Sequence, residues 1–136
     1  MRVEGRIRRD GKWWAVEVPL LNLFTQGRTK REAFEMVVDA VRLLADDDSL
    51  EIDLYPRGGE SFELGSDDKA AFYGLLLRRQ RQALGLSLRD VAERMGMKSR
   101  NAYARYEQGR AVPTIQKFAE LLKAVNPKVE IVVRAG

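Results

Sequence analysis

Three glycines, Gly85, Gly96 and Gly109, divide the second half of the chain, and each is followed within a few residues by a helix-capping residue: Ser87, Ser99 and Thr114. Glycine enters the left-handed backbone that ends a helix at little cost, and a Ser or Thr side chain accepts a hydrogen bond from the free N–H groups that open the next one. The spacing predicts four helices. The first carries Phe72, Leu75, Leu76 and Leu84 on one apolar stripe and ends at Gly85. The second spans Leu88–Met95 behind the cap Ser87-Leu88-Arg89-Asp90, and the third runs from Ser99 to near Gln108. Pro113-Thr114 opens the fourth, with Ile115, Phe118, Leu121 and Leu122 facing inward and a stop near Asn126-Pro127. Beyond it Lys128–Arg134 alternates through Val129, Ile131 and Val133, the pattern of a strand.

The two short helices that meet at Gly96-Met97-Lys98 have a division of labour written into them. Val91 and Met95 face the core, and Ala92 is small where the helices cross. The third helix directs Tyr103 and Tyr106 inward and Arg100, Asn101 and Arg105 outward. Arginine can bond guanine O6 and N7 together, and asparagine adenine N6 and N7, so this outward set suits the major groove. Lys98, Ser99, the start of that helix and Arg89 suit phosphate contact. Residues 66–125 resemble the Xre/Cro-type helix-turn-helix family through the Leu86–Gly109 stretch, Glu107-Gln108-Gly109-Arg110 and Pro113. One extra residue at the turn, Met97-Lys98, departs from that pattern and shifts the possible reading frame of the recognition helix by one position. A one-position shift would turn Ser99 or Ala104 toward the bases. A plain four-helix bundle with a basic face is the alternative.

Net charge changes sign along the chain. Residues 1–65 hold 10 Lys/Arg and 13 Asp/Glu, net −3, and residues 66–136 hold 14 and 7, net +7. A basic half can follow a phosphate backbone, and an acidic half calls for a different partner. Cysteine and histidine are both absent, which removes disulfides, thiolate metal sites and the commonest general base. No enzymatic activity, metal or cofactor is expected. The N-terminal MRVEGRIRRD lacks the apolar segment of a secretory signal, no apolar run is long enough to span a bilayer, and a cytoplasmic protein is expected.

In the first half, Arg2–Arg9 and Trp13–Val18 alternate on either side of Asp10-Gly11, a hairpin signal. Leu23–Gln26 adds an edge strand. Thr29-Lys30-Arg31-Glu32 reads as a capping box before an amphipathic helix with Phe34, Val37, Val38, Val41 and Leu44 on its buried stripe. Glu51–Tyr55 is a further strand, Pro56-Arg57-Gly58-Gly59 a turn, and Phe62–Leu64 a returning strand. The expected fold class is α+β: a small three- to four-stranded antiparallel sheet with one helix, followed by an all-α helix-turn-helix domain and a short C-terminal strand. Domains are expected at 1–65 and 66–136, divided at Gly65-Ser66-Asp67-Asp68.

Two features of the acidic half point to a protein partner. Trp13 is expected on the exposed side of its strand, with Trp14 in the core, and a surface tryptophan is a candidate interface anchor. Asp46, Asp47 and Asp48 oppose the macrodipole at a helix C-terminus, so stability alone does not place them there. Together with Glu51 and Asp53 they also invite a metal-nuclease reading, but three consecutive residues cannot converge on one ion, and a partner-facing or simply solvated acidic loop accounts for them better.

The segment from Trp14 to Phe34 resembles the HicB antitoxin family at Pro19, Thr25, Gln26, Gly27, Thr29, Glu32 and Ala33. The family's usual Asp-Leu-Pro-Gly after the proline is replaced here by Leu20-Leu21-Asn22. The resemblance implies a partial ribonuclease-H-like N-terminal fold without nuclease activity. It also implies a small basic HicA-like toxin as partner, an mRNA-cleaving ribonuclease whose active site is blocked. A C-terminal domain that represses its own operon completes the implied function. The lone strand Lys128–Arg134 is expected to pair with its two-fold copy, so a homodimer or higher homo-oligomer and a palindromic operator are expected. The alternative is a stand-alone helix-turn-helix regulator whose N-terminal domain senses a ligand or dimerises.

Overall fold

The computed structural model describes residues 1–136. Five strands, β1 (Val3–Asp10), β2 (Trp13–Val18), β3 (Leu23–Gly27), β4 (Asp53–Gly58) and β5 (Ser61–Gly65), form one antiparallel sheet in the order β3-β2-β1-β5-β4. The expected three to four strands are five, because Phe62–Leu64, expected as a returning strand, is a full member of the sheet as Ser61–Gly65. It inserts between β1 and β4, pairing Val3 with Leu64 and Gly5 with Phe62. Gly5 permits this, since a Cβ there would lie 2.2 Å from the Phe62 ring. The β1–β2 hairpin turns on Gly11 and Lys12, with only Gly11 at positive φ, the pattern of a type II′ turn.

One face of the sheet carries Val3, Ile7, Val16, Val18, Leu23, Phe62 and Leu64, all buried. Helix α1 (Lys30–Ala45) lies on that face through Ala33, Val37 and Val41, with Phe34 edge-on to Phe62 at 5.3 Å. Thr29 caps α1 by accepting from the Glu32 N–H. The Glu32 carboxylate reaches back to the Arg28 N–H, one residue before the cap, so the box closes on the entering strand. No helix of the chain is long and apolar enough to cross a membrane.

The second half contains α2 (Lys69–Ala83), α3 (Leu88–Arg94), α4 (Arg100–Glu107) and α5 (Ile115–Val125). Asp68 caps α2. Helix α2 is buried more widely than one stripe: Phe72, Gly74, Leu75, Leu76, Leu77 and Gln80 are all enclosed. It is the helix both halves share, and the apolar core runs without a break from the sheet through α2 to α5. Two expected core positions are not core. Leu84 is 49 % exposed at the end of α2, and Ile115 is 86 % exposed in the first turn of α5, where the apolar face begins only at Phe118.

The expected C-terminal strand does not form. After α5 the Asn126 carbonyl and side chain accept from Val129 and Lys128, turning the chain, and residues 127–136 have no regular structure. Apolar alternation alone does not make a strand, and the tail pairs with neither open edge of the sheet, β3 or β4. The tail runs back toward the sheet instead, where Arg134 Nη2 meets Glu63 Oε2 at 2.6 Å, and Ile131, Val132 and Val133 stay exposed.

Candidate nucleic-acid interface

The geometry of α3 and α4 is set by their caps. Ser87 accepts from the Asp90 N–H while the Asp90 carboxylate accepts from the Ser87 N–H, a complete capping box. The Ser87 N–H, and next the Ser87 hydroxyl, hold the Asp90 carboxyl below the usual carboxylate range. At the other end Gly96 takes φ +66°, with Met97 N–H bonding to the Ala92 carbonyl and Gly96 N–H to Glu93. That double closure is a Schellman motif, and Gly85 and Gly109 end α2 and α4 in the same way. The residue after Gly96, Met97, is thus absorbed into the stop of α3, and Ser99 still caps α4 by accepting from Ala102.

All six residues expected at the interface, Arg89, Lys98, Ser99, Arg100, Asn101 and Arg105, are exposed. Tyr103, Ala104 and Glu107 are buried against the rest of the domain, and Tyr106 is half-buried. The burial of Ala104 removes it as a base-facing residue, so a shift of the reading frame that exposes it does not occur. At 3.6 residues per turn, Asn101 and Arg105 lie on one outward line, continued by the exposed Gln108. Arg100 sits further round the helix and is exposed because it occupies the first turn, at the end that enters the groove in such domains.

A buried ion pair holds α4 to α2. Arg81 Nε and Nη2 donate to Glu107 Oε2 and Oε1 at 2.7 and 2.9 Å, a two-pronged contact with both side chains largely enclosed. The guanidinium of Arg81 is held further in its charged form by the hydrogen bond to Glu107. Tyr103 is fully buried beside this pair, and its hydroxyl has no hydrogen-bond partner. Burial, and next the Glu107 carboxylate, raise its ionisation far above the ordinary phenol range. The helices also approach closely at Gly74, where a Cβ would lie 2.6 Å from the carbonyl oxygens of both Tyr106 and Glu107. Sequence reasoning missed Gly74, Arg81 and Glu107. The signal was present: Glu107 follows Tyr103 by four residues and Arg81 follows Leu77 by four, which puts both charges on inward faces.

The four residues expected to meet a protein partner do not form one patch. Trp13, 38 % exposed, stands on the helix-free face of the sheet near the start of α1, with Arg28 5.7 Å from its ring. Trp14 is half-buried on the opposite face. Asp46, Asp47 and Asp48 follow the far end of α1, a 16-residue helix, about 24 Å away at 1.5 Å per residue. Asp46 takes the left-handed conformation that closes α1, φ 53°, and Asp47 accepts from the backbone and hydroxyl of Ser49. Those bonds hold the Asp47 carboxyl below its ordinary range. Two of the three aspartates therefore have local structural roles that offset their unfavourable place at the helix end. Asp47 also lines a cleft of about 130 Å³ with Arg78, Glu107 and Gln108, so the acidic loop adjoins the helix-turn-helix half.

No curated protein matches the chain. Residues 73–126, which include the exposed α4 and most of the core that holds it in place, match the family described as a helix-turn-helix domain, so this stretch of the chain is a helix-turn-helix domain.

Proposed function

We propose that the chain is an antitoxin of the HicB kind that neutralises a small basic HicA-like toxin and represses its own operon through α4. The DNA-binding part rests on one observation: Arg100, Asn101 and Arg105 are exposed on α4 while Tyr103, Ala104 and Glu107 anchor its other side. Arg100, Asn101 and Arg105 read bases, and Arg89, Lys98 and Ser99 hold phosphates. Two copies place their α4 helices in successive major grooves about 34 Å apart and favour a palindromic site. Homodimerisation is part of the proposal, and the exposed Val132 and Val133 of the tail are available to it.

The antitoxin part is supported by the residues that resemble HicB, of which all but Pro19 form one structural unit. Gly27 passes so close to α1 that a Cβ would lie 2.4 Å from the Ala33 nitrogen, Thr29 caps the helix, and Glu32 returns to Arg28. They build the junction of β3 and α1, so they speak for the architecture of this half. A partial ribonuclease-H-like fold, a role without catalysis and a cytoplasmic location belong to the same reading. Trp13 and the Asp46–Asp48 loop remain its partner-facing residues, as two separate contact regions. Co-expression with the neighbouring reading frame and pull-down through a tag on either chain tests it. Recovery of a small basic protein whose ribonuclease activity is inhibited in the complex is the expected result, and a neighbour that neither binds nor is inhibited refutes it.

A second reading, a ligand-responsive regulator, draws on a half-open cleft of about 1390 Å³ lined by Leu20, Tyr73, Phe118 and the tail among others. Retained operator control by a chain with no protein partner would favour it.

A further inference from the structure

One turn of α2 bonds to the N-terminal half, to the end of α5 and to α4. Arg78 donates from its guanidinium to the Leu44 carbonyl at the end of α1. Arg79 donates from Nε to the Leu21 carbonyl at 2.8 Å and from Nη2 to that of Asn22 at 3.0 Å. Gln80 Nε2 donates to the Leu20 carbonyl at 2.9 Å, and its Oε1 accepts from Asn126 Nδ2, just past α5, at 2.9 Å. Arg81 completes the turn with its two-pronged grip on Glu107 of α4.

The carbonyls taken by Arg78, Arg79 and Gln80 belong to helix ends. Leu44 is in the last turn of α1, and Leu20, Leu21 and Asn22 close the short 3-10 turn Pro19–Leu21. Such carbonyls lack helical partners and carry the negative end of the helix dipole, so cationic and amide donors suit them. The link between the halves is therefore directional as well as apolar. Moving the Pro19–Asn22 segment or the end of α1 must break these bonds or carry α2 along. Helix α2 cannot move without α4, because Gly74 leaves no space at the crossing and Arg81 is bonded to Glu107.

We infer that Arg79 and Gln80 are positioning residues for DNA recognition: through α2 they fix α4 against the N-terminal sheet, so that the DNA-binding surface belongs to the whole chain. A partner that shifts the Pro19–Asn22 segment then alters DNA affinity without touching α4. The inference rests on the DNA-binding reading of α4.

The test uses the full chain. It has no cysteine, so Leu43→Cys on α1 and Lys123→Cys on α5, both at exposed positions outside the DNA face, give a clean pair of spin labels. The label-to-label distance distribution, and affinity for a duplex selected from a random pool, are measured with and without Arg79→Ala/Gln80→Ala. A narrow distribution in the parent should broaden in the variant at unchanged helicity. Affinity for the selected duplex should fall by at least about fivefold, the lower end for coupled sites, with binding to scrambled DNA unchanged. Arg79→Lys alone, which keeps one donor, should fall between, and it carries the same two readouts if the double variant loses helicity. A distribution that does not broaden, or an affinity loss below that threshold, overturns the inference. A broad distribution in the parent also overturns it, whatever α4 binds. A parent that binds no duplex better than scrambled DNA overturns the DNA-binding reading itself, and the distance measurement separates that failure from failure of the joint.

Discussion

Replacing Gly74 by alanine sets two effects of opposite sign against each other. In an exposed helix interior the change should stabilise by about 1 kcal/mol, because glycine has more backbone freedom to lose. Here the new methyl would stand 2.6 Å from two backbone carbonyl oxygens of α4, where ordinary contact begins near 3.4 Å. Backbone atoms cannot rotate aside, so α4 must retreat by about 0.8 Å, and the cost lies toward the upper end of overpacking, about 3 kcal/mol. Retreat also stretches the Arg81–Glu107 contact, which is near its shortest at 2.7 and 2.9 Å. The net expectation is a loss of about 2 kcal/mol, which for a chain of this length lowers Tm by about 6–10 °C. Thermal unfolding followed by circular dichroism measures it, and affinity for a selected duplex should fall in parallel because α4 has moved. A Tm equal to or above the parent's would mean that propensity wins and that the α2–α4 crossing is looser than its geometry states.

Other expectations follow from single groups. Arg100→Ala and Arg105→Ala should each cost roughly 1–3 kcal/mol per half-site on a selected duplex and much less on scrambled DNA, whereas Lys98→Ala and Arg89→Ala should weaken both alike and reduce the salt slope; equal losses on both DNAs for the first pair would make them phosphate contacts. Arg134, ahead of Arg57 and Arg2, holds Glu63 below its ordinary range, so the stability this contact provides is present at neutral pH and lost as pH falls below about 4.5; Arg134→Ala should be less stable than the parent at pH 7, with the two converging in acid, and a gap independent of pH would refute it. Because burial raises Tyr103, the folded state keeps its proton where the unfolded state gives it up, so stability falls as pH rises above about 10; Tyr103→Phe should flatten that decline in alkaline denaturation, and an unchanged slope would count against it. Deleting residues 127–136 should lower the mass seen by light scattering if the tail serves dimerisation, and full retention of mass would exclude the tail.

Local rules carried the sequence a long way. The glycine stops placed the ends of α2, α3 and α4, and the Ser and Thr caps the starts of α1, α3, α4 and α5, because a cap and a left-handed glycine are satisfied within a few residues and need no distant partner. The exposed set on α4 was legible for the same reason, since the inward tyrosines fix the outward side. Where a partner far along the chain decides, the reading failed. Insertion of β5 beside β1 depends on Gly5 accepting the Phe62 ring, and nothing within the Phe62–Leu64 segment records that. Lys128–Arg134 has the alternation of a strand, yet alternation states only which side chains would share a face, and a strand also needs an edge to pair with.

The acidic loop marks the limit of arguing from one interaction. Three aspartates after a helix oppose its dipole, and that cost, a fraction of a kilocalorie each at an exposed site, invites a functional explanation. The structure supplies local gains of similar size. Asp46 tolerates the left-handed closure of α1 better than most residues, and Asp47 ties down the turn through Ser49. Only Asp48 is left without such a role in these contacts, so a steering surface built from this loop would depend on the summed charge of the loop more than on any one residue. Replacing Asp48 by Asn should then leave stability unchanged while slowing association with a basic partner at low salt. Replacing Asp47 by Asn should lower stability as well, because it weakens the bonds to Ser49. If the two variants slow association equally and both fold as stably as the parent, the loop acts through charge alone and the Ser49 contacts contribute nothing. If neither slows it, the partner meets the chain elsewhere, and Trp13, at the other end of α1, becomes the residue to replace next.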